Sequence, residues 1–448
     1  MTSVYSRRRP GCWAWSDDVN LPVLMPDVPD QRHACHGCGG CCRDPVVYLT
    51  GDDRRRIDEQ GWAGRLGSAP YVEINRSIVI SHAPGGACVF LDDAGRCRIH
   101  AEFGAAAKPL ACRIYPFTFE TMDDAHRVGL RFDCPSAARN AGAPLHAQRD
   151  DVGRWVRALA DAGSTTGVPA ELAPGVTMTP REEEAIRSHL DRWLKATGAP
   201  IVDRLCGLAD LADTLAKAKL RAVRDERFGE LLGLLIDELP SVTGSMRDNP
   251  PPAPTARQQR LLRQVAFAHA EHATFDDMLL PFFGRLAHRL DQYRRGRRMS
   301  AGAGSVPPLA GRRWDRAEFL AMDRAAPCSE TARPAVDDLL TRYLRVRVQS
   351  GTVCGPGHLG YDLADGLRAT LLTVVCAAWF ARLSAVAAGR SAAEFEDWVT
   401  AIGIVDRTAT RSPALRGVAA RLRIGYLAAE QGVARLIRYW LGDGRGAA

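Results

Sequence analysis

Residues 35–42 read CHGCGGCC, four cysteines spaced C-x2-C-x2-C-C with glycine at 37, 39 and 40. A two-residue gap lets a loop fold back so that successive sulfurs converge on one centre. The glycines permit the positive φ angles and close backbone approach that such a loop needs. Free amides in the loop can hydrogen-bond sulfur and offset its charge. Disulfides, thiol redox chemistry and a metal cradle all use such a run, so the rest of the chain has to choose. Neighbouring side chains of extended backbone point to opposite sides. Cys41 and Cys42 can therefore serve one metal only across a sharp turn; otherwise Cys42 serves a second metal or is a nearby free thiol.

Nine of the 13 cysteines precede residue 135, and four of them, Cys88, Cys97, Cys112 and Cys134, follow the first cluster. The opening stretch MTSVYSRRRPGCWAWSDD has arginines but no apolar run after them, so no secretory signal is expected and the chain reads as cytoplasmic. In a reducing compartment, clustered cysteines favour metal or redox chemistry over structural disulfides. Cys35, Cys38, Cys41, Cys42, Cys88, Cys97, Cys112 and Cys134 suffice for two tetrathiolate sites, or for one iron–sulfur cluster plus a zinc. The C-x2-C-x2-C run leans towards a [4Fe–4S] cluster, while the small glycine-rich loop suits zinc equally. Among His33, His36, His82, His100 and His126, His100 is the best placed to replace a cysteine, three residues after Cys97. Cys206, Cys328 and Cys376 read as small buried apolar residues. Cys12 and Cys354 have no evident role.

The chain has 448 residues, 46% hydrophobic, which allows two or three globular domains. Its formal charge is +7, yet only four of the 59 basic residues are lysine, a bias that reflects base composition rather than a selected patch. Residues 1–150 hold 18 basic and 18 acidic side chains, so the surplus lies downstream. The basic runs at 54–56 and 294–298 lack interleaved aromatics, so no nucleic-acid partner is expected. The longest uncharged apolar run, 369–381, has 13 residues, short of the roughly 20 that span a bilayer. It reads as a buried core helix, with no membrane association.

The fold class expected is α+β: a small cysteine-rich metal-binding domain with short strands, then a mostly helical region. Its divisions are an irregular lead-in at 1–34, the cysteine-cluster domain at 35–140, a helical domain at 150–295, a linker or long loop at 296–312, and a helical C-terminal region at 313–448. Residues 45–50, 77–82 and 87–91 are strand-like, and 117–132 reads as two strands around an acidic turn. Thr179, Pro180 and Glu182 mark a helix start. GPGHLG at 355–360 matches a glycine-rich nucleotide loop. No acid stands near 380 to hold a ribose, so it reads as a loop between helices.

From Cys88 the chain runs CVFLDDAGRCRIHAEFGAAAKPLACRIYPF. With the upstream CHGCGGCC this resembles the CxxCxxCC (YkgJ-type) cysteine-cluster family of zinc- or iron-chelating domains, the group to which flagellin lysine-N-methylases belong. The resemblance covers about residues 35–135. It implies that the eight cysteines form a metal-binding core. It makes Lys108 and Arg113 either counter-charges to thiolates or surface charges beside a turn, with Tyr115, Pro116 and Phe117 packing beneath. Further along, it implies methyl transfer from S-adenosylmethionine to lysines of a protein partner such as flagellin. The alternatives are a non-catalytic zinc- or iron-chelating protein and a redox protein. No cofactor motif in the sequence itself supports the enzyme.

Overall fold

The computed structural model describes residues 22–442, apart from 29, 44, 122–124, 162–168, 197, 310–313 and 315–316. Residues 1–21 of the lead-in, Cys12 among them, lie outside the described residues, as does the acidic tip of the 117–132 hairpin. The architecture is α+β, with the short strands and the cysteines first and helices after.

The N-terminal part contains β1 (Val23–Leu24), β2 (Arg32–His33), α1 (Gly51–Glu59), α2 (Trp62–Leu66), β3 (Tyr71–Ile74), β4 (Ser77–Ile80), α3 (Arg98–Phe103), α4 (Leu110–Ile114), β5 (Phe117–Thr121), β6 (His126–Leu130), α5 (Pro135–Ala138) and β7 (Ala143–Pro144). Thr50 caps α1 in a capping box: its hydroxyl accepts from the Asp53 amide and the Asp53 carboxylate accepts from the Thr50 amide, both at 3.1 Å. β3 and β4 pair antiparallel across Asn75 and Arg76, both at positive φ, the conformation a tight two-residue hairpin loop demands. β1 runs parallel to β6, which pairs antiparallel with β5.

Two of the strand-like runs behave otherwise than expected. Residues 45–50 add only one bridge, Tyr48 to Val79. Residues 87–91 form turns and isolated bridges, because their backbone groups close loops around the cysteines rather than extending a ladder.

The helical body holds α6 (Arg149–Asp161), β8 (Glu171–Ala173), β9 (Val176–Thr177), α7 (Pro180–Leu194), α8 (Ile201–Lys217), α9 (Asp225–Asp248), α10 (Ala256–Ala270), α11 (Phe275–Leu279), α12 (Phe282–Ala301), α13 (Phe319–Arg324), α14 (Arg333–Gln349), α15 (Leu363–Ala387), α16 (Phe395–Ala409), α17 (Val418–Ala428) and α18 (Gly432–Leu441). α7 starts as expected, with Pro180 at its first position and a Thr179–Glu182 capping box. The expected linker is helical at its start: α12 continues to Ala301 and ends at Gly302, whose φ of 67° only glycine adopts cheaply. By length and composition α15 could cross a membrane, but 83% of its most apolar window is buried inside the fold.

Burial divides the chain differently from sequence position. Ile57, Trp62, Ile80, Phe90 and Ile99 form a small core beneath the cysteines. Phe117, Val128, Leu130, Phe132, Cys134 and Ala137 belong instead to the large core of the helical body. The seam therefore falls between Cys112 and Phe117. Arginines of α14 fasten the N-terminal elements to the body. Arg342 donates to Gln31 Oε1 at 2.9 Å and to the Ala138 carbonyl at 3.1 Å, and Arg345 donates to Asp191 at 2.8 Å and to the Asp27 carbonyl at 2.9 Å. These guanidiniums satisfy carbonyls that burial would otherwise leave unpaired.

Candidate metal centre

Each late cysteine is brought to the first cluster by backbone geometry. Gly39 has φ 68°, and a Cβ there would stand 3.2 Å from the Gly95 carbonyl, so the glycine loop lies directly on the turn before Cys97. Residues 40–42 then form a 3-10 turn, closed by the Cys42 amide on the Gly39 carbonyl at 3.0 Å. This turn supplies the sharp bend the adjacent pair needs: Cys41 Sγ and Cys42 Sγ stand 3.9 Å apart. Two thiolates on one tetrahedral zinc, with Zn–S of ~2.3 Å, stand about 3.8 Å apart.

The Cys88 amide donates to the Cys42 carbonyl at 2.8 Å, joining the two segments. The DDAG turn closes with the Asp92 amide on the Arg96 carbonyl at 2.8 Å and the Arg96 amide on Asp92 Oδ1 at 2.6 Å. It returns the chain so that Cys97, the residue preceding α3, bridges back to Leu91. Cys112 sits on α4, whose first amide, Leu110, donates to Asp53 Oδ1 at 3.0 Å. Asp53 is buried and also pairs with Arg56, so one carboxylate both caps α1 and fixes the start of the helix that carries Cys112.

Several of the thiols lie within electrostatic reach of one another. Cys42 feels Cys41, Cys88 and Cys112, and Cys112 feels Cys88, Cys41 and Cys97. Cys134 feels Cys38, and Arg139 feels both. Cys35, three residues before Cys38, is exposed, as is Cys38 itself. The hydrogen bond from Cys42 lowers the Cys41 thiol to about 7 against the effect of burial, with Lys108 assisting; its partner Cys42 is correspondingly pushed up. Burial raises Cys88 to about 12 and Cys134 to about 11, and it raises Cys112 as well. Buried thiols held neutral in this way ionise together only when a cation supplies the compensating charge. The eight cysteines of the N-terminal cluster are thiols, not paired in disulfides.

Among the described residues, no three or more His, Cys, Asp or Glu side chains are closed around one point in ligand geometry. The thiols are gathered rather than closed, and a donor set dominated by sulfur, with Asp133 within electrostatic reach of Cys41 and Cys134, suits zinc or iron. The histidines differ in setting, and the His82 backbone bridges Cys88. His36 and His100 are exposed, His33 lies edge-on to Phe117, and His82 stacks on Phe275 of α11 at 4.6 Å. Lys108 acts on Cys41 and Cys112, whereas Arg113 faces Arg56 and Asp53. Tyr115 is within electrostatic reach of Cys134 and Cys41 and donates to Asp133 Oδ1 at 3.0 Å. Sequence reasoning missed Asp53 and Asp133. The Thr50-x-x-Asp53 spacing was a visible sign of the first, and nothing local marks the second.

Residues 34–132 match the CxxCxxCC family model, described as "Putative zinc- or iron-chelating domain". Seven of the eight cysteines fall inside the match, and Cys134 lies just beyond it. No curated protein and no solved structure matches the chain. Residues 34–132 are thus similar to a domain of that description, over the stretch that holds the cysteine cluster.

Proposed function

We propose that the N-terminal module binds zinc or iron through thiolates. Cys41, Cys42, Cys88, Cys97 and Cys112 form one ligand pool, and Cys35, Cys38 and Cys134 form a second. The observation that carries this reading is the Cys41–Cys42 pair, set at 3.9 Å on a 3-10 turn with three further half-buried thiols in electrostatic range. A bound metal supplies positive charge to thiolates and links segments distant in sequence. The protein's own part is to hold the pair on its turn, to fix Cys112 through Asp53, and to set Lys108 beside Cys41 and Cys112 against the negative charge. Free thiols in this number suit a reducing compartment, so a cytoplasmic location belongs to the same proposal.

The test is elemental analysis of anaerobically prepared protein alongside Cys42→Ser and Cys134→Ser. Stoichiometric zinc or iron is expected, with Cys42→Ser losing the metal of the first pool. A visible iron–sulfur chromophore distinguishes a cluster from zinc. Metal-free protein whose eight thiols all alkylate in the folded state would overturn the reading. The finer reading is methyl transfer from S-adenosylmethionine to lysines of a partner such as flagellin. It rests on the sequence resemblance, and calorimetry with S-adenosylmethionine on metal-replete protein decides it: saturable binding supports it and a flat titration withdraws it.

A further inference from the structure

The α11–α12 segment turns an apolar face to water. Leu279, at the end of α11, and Phe282, Phe283, Leu286, Leu290 and Tyr293 of α12 are each between 49% and 80% exposed. α12 is held on its other side. His288 faces Asp277 at 3.3 Å, Gln292 donates to Glu271 at 3.4 Å, Arg295 pairs with Glu271 and Asp291, and Met299 is buried. Its base is fixed through α11, where Phe275 packs with Ile74 and Val79 of the β3–β4 hairpin. A seated helix thus displays a run of bulky apolar side chains, the kind of patch that marks a docking surface.

Charge selects what docks. At about 100° per residue, the five apolar side chains on α12 occupy an arc of about 100° over a length of roughly 17 Å. Arg285 and Arg289 line one edge of that arc, Arg294 and Arg298 line the other, and Arg297 continues it past Tyr293; all five are exposed. The single acid of α12, Asp291, is taken by Arg295 at 2.7 Å. A second copy of this chain would set arginine edges against each other, and like charges facing across an interface repel. A protein groove would need acidic rims on both sides. A bilayer of anionic lipid offers phosphates along both edges of an apolar layer at once. That is the setting of interfacial helices, with aromatic and leucine side chains below and arginines reaching up to the headgroups.

We infer that this face of α12 docks on an anionic lipid surface, its apolar arc at the boundary of headgroups and acyl chains and its arginines on lipid phosphates. The helix lies on the surface rather than crossing it, so the burial of α15 has no bearing on it. The inference departs from the sequence-based expectation of no membrane association, which rested on the length of the 369–381 run. It does not depend on the metal reading.

Co-sedimentation of the full-length protein with vesicles tests it, comparing phosphatidylcholine alone with equal parts of phosphatidylcholine and phosphatidylglycerol. Binding is expected to the anionic vesicles and to be much weaker to the neutral ones. The double variant Phe282→Ser/Phe283→Ser keeps every charge; with an unchanged melting curve, it should bind about tenfold more weakly or worse. Arg285→Gln/Arg294→Gln should narrow the preference for anionic over neutral vesicles. Leu234→Ser, at an exposed leucine of α9, should bind as wild type does. Absence of binding to anionic vesicles would overturn the assignment and leave the face to a protein partner. A double phenylalanine variant that binds undiminished would overturn it as well. So would a wild-type dimer that the same variant dissociates, which would put a second copy on the face.

Discussion

Thr50–Asp53 and Thr179–Glu182 are one device built into two regions. In each, a threonine caps a helix and the acid three residues on is fully buried and reaches to another helix. Asp53 accepts from the Thr50 amide, Arg56 and the Leu110 amide at the start of α4. Glu182 accepts from the Thr179 amide at 2.9 Å, Arg224 at 2.7 Å and the Asp225 amide at 3.0 Å at the start of α9. What lies behind them differs. Glu182 backs onto a core that runs from Val28 to Leu441. Asp53 backs onto five fully buried side chains. A module of about 70 residues with so small a core has little burial to hold it. The same local grammar therefore serves a body stabilised by burial and, on the proposed reading, a module that a bound metal completes.

Removing the metal is the strongest way to break this comparison. Stripping it with a chelator, or making Cys88→Ser, should open residues 43–112 to protease while the helical body keeps its circular dichroism and melting transition. Structural zinc contributes on the order of 10 kcal/mol to small modules, so the loss should be close to complete. If the whole chain melted together, the two regions would not be energetically distinct.

The body offers a smaller effect. Glu120 on β5 packs against the 355–360 loop, and burial raises its carboxyl to about 7 despite Arg411. The folded state then holds a proton that the unfolded state releases above its ordinary value of 4.5. Stability from this group is full below that value and declines as pH rises through the folded pKa. Relative to wild type, Glu120→Gln should gain on the order of 1–3 kcal/mol between pH 5 and pH 8. Denaturation of both proteins across that range measures it, and parallel pH profiles would show that Glu120 does not report on the packing of the hairpin against the body.

The smallest effect is the sharpest comparison. Thr50→Ala and Thr179→Ala should each cost about 1 kcal/mol, read by denaturation. Only Thr50→Ala should also speed metal transfer to a chelator, because Asp53 holds the helix that carries Cys112. Equal transfer rates for the two variants would detach Asp53 from the site.

Much of this was legible in the sequence. Cysteine spacing and the glycines announce a thiolate cradle because ligand type and turn chemistry are local. Periodicity and capping residues announced α7 and the buried α15 for the same reason. Which of the distant thiols come within reach of Cys41 and Cys42 was not legible. It depends on contacts such as the Cys88 amide on the Cys42 carbonyl, which join residues far apart in the chain. The 117–130 hairpin, expected within the cysteine-cluster domain at 35–140, buries its apolar side chains in the large core of the body, which no local pattern encodes.

The amino-acid order alone determined which chemistry the chain can perform, since thiols, glycine turns and helix caps act through their immediate neighbours. Only the tertiary structure decided that the Cys88 backbone closes on Cys42 and that Asp53 holds the start of the helix that carries Cys112. Those are properties of packing, where a partner's presence or absence is settled by segments that meet only once the chain has folded.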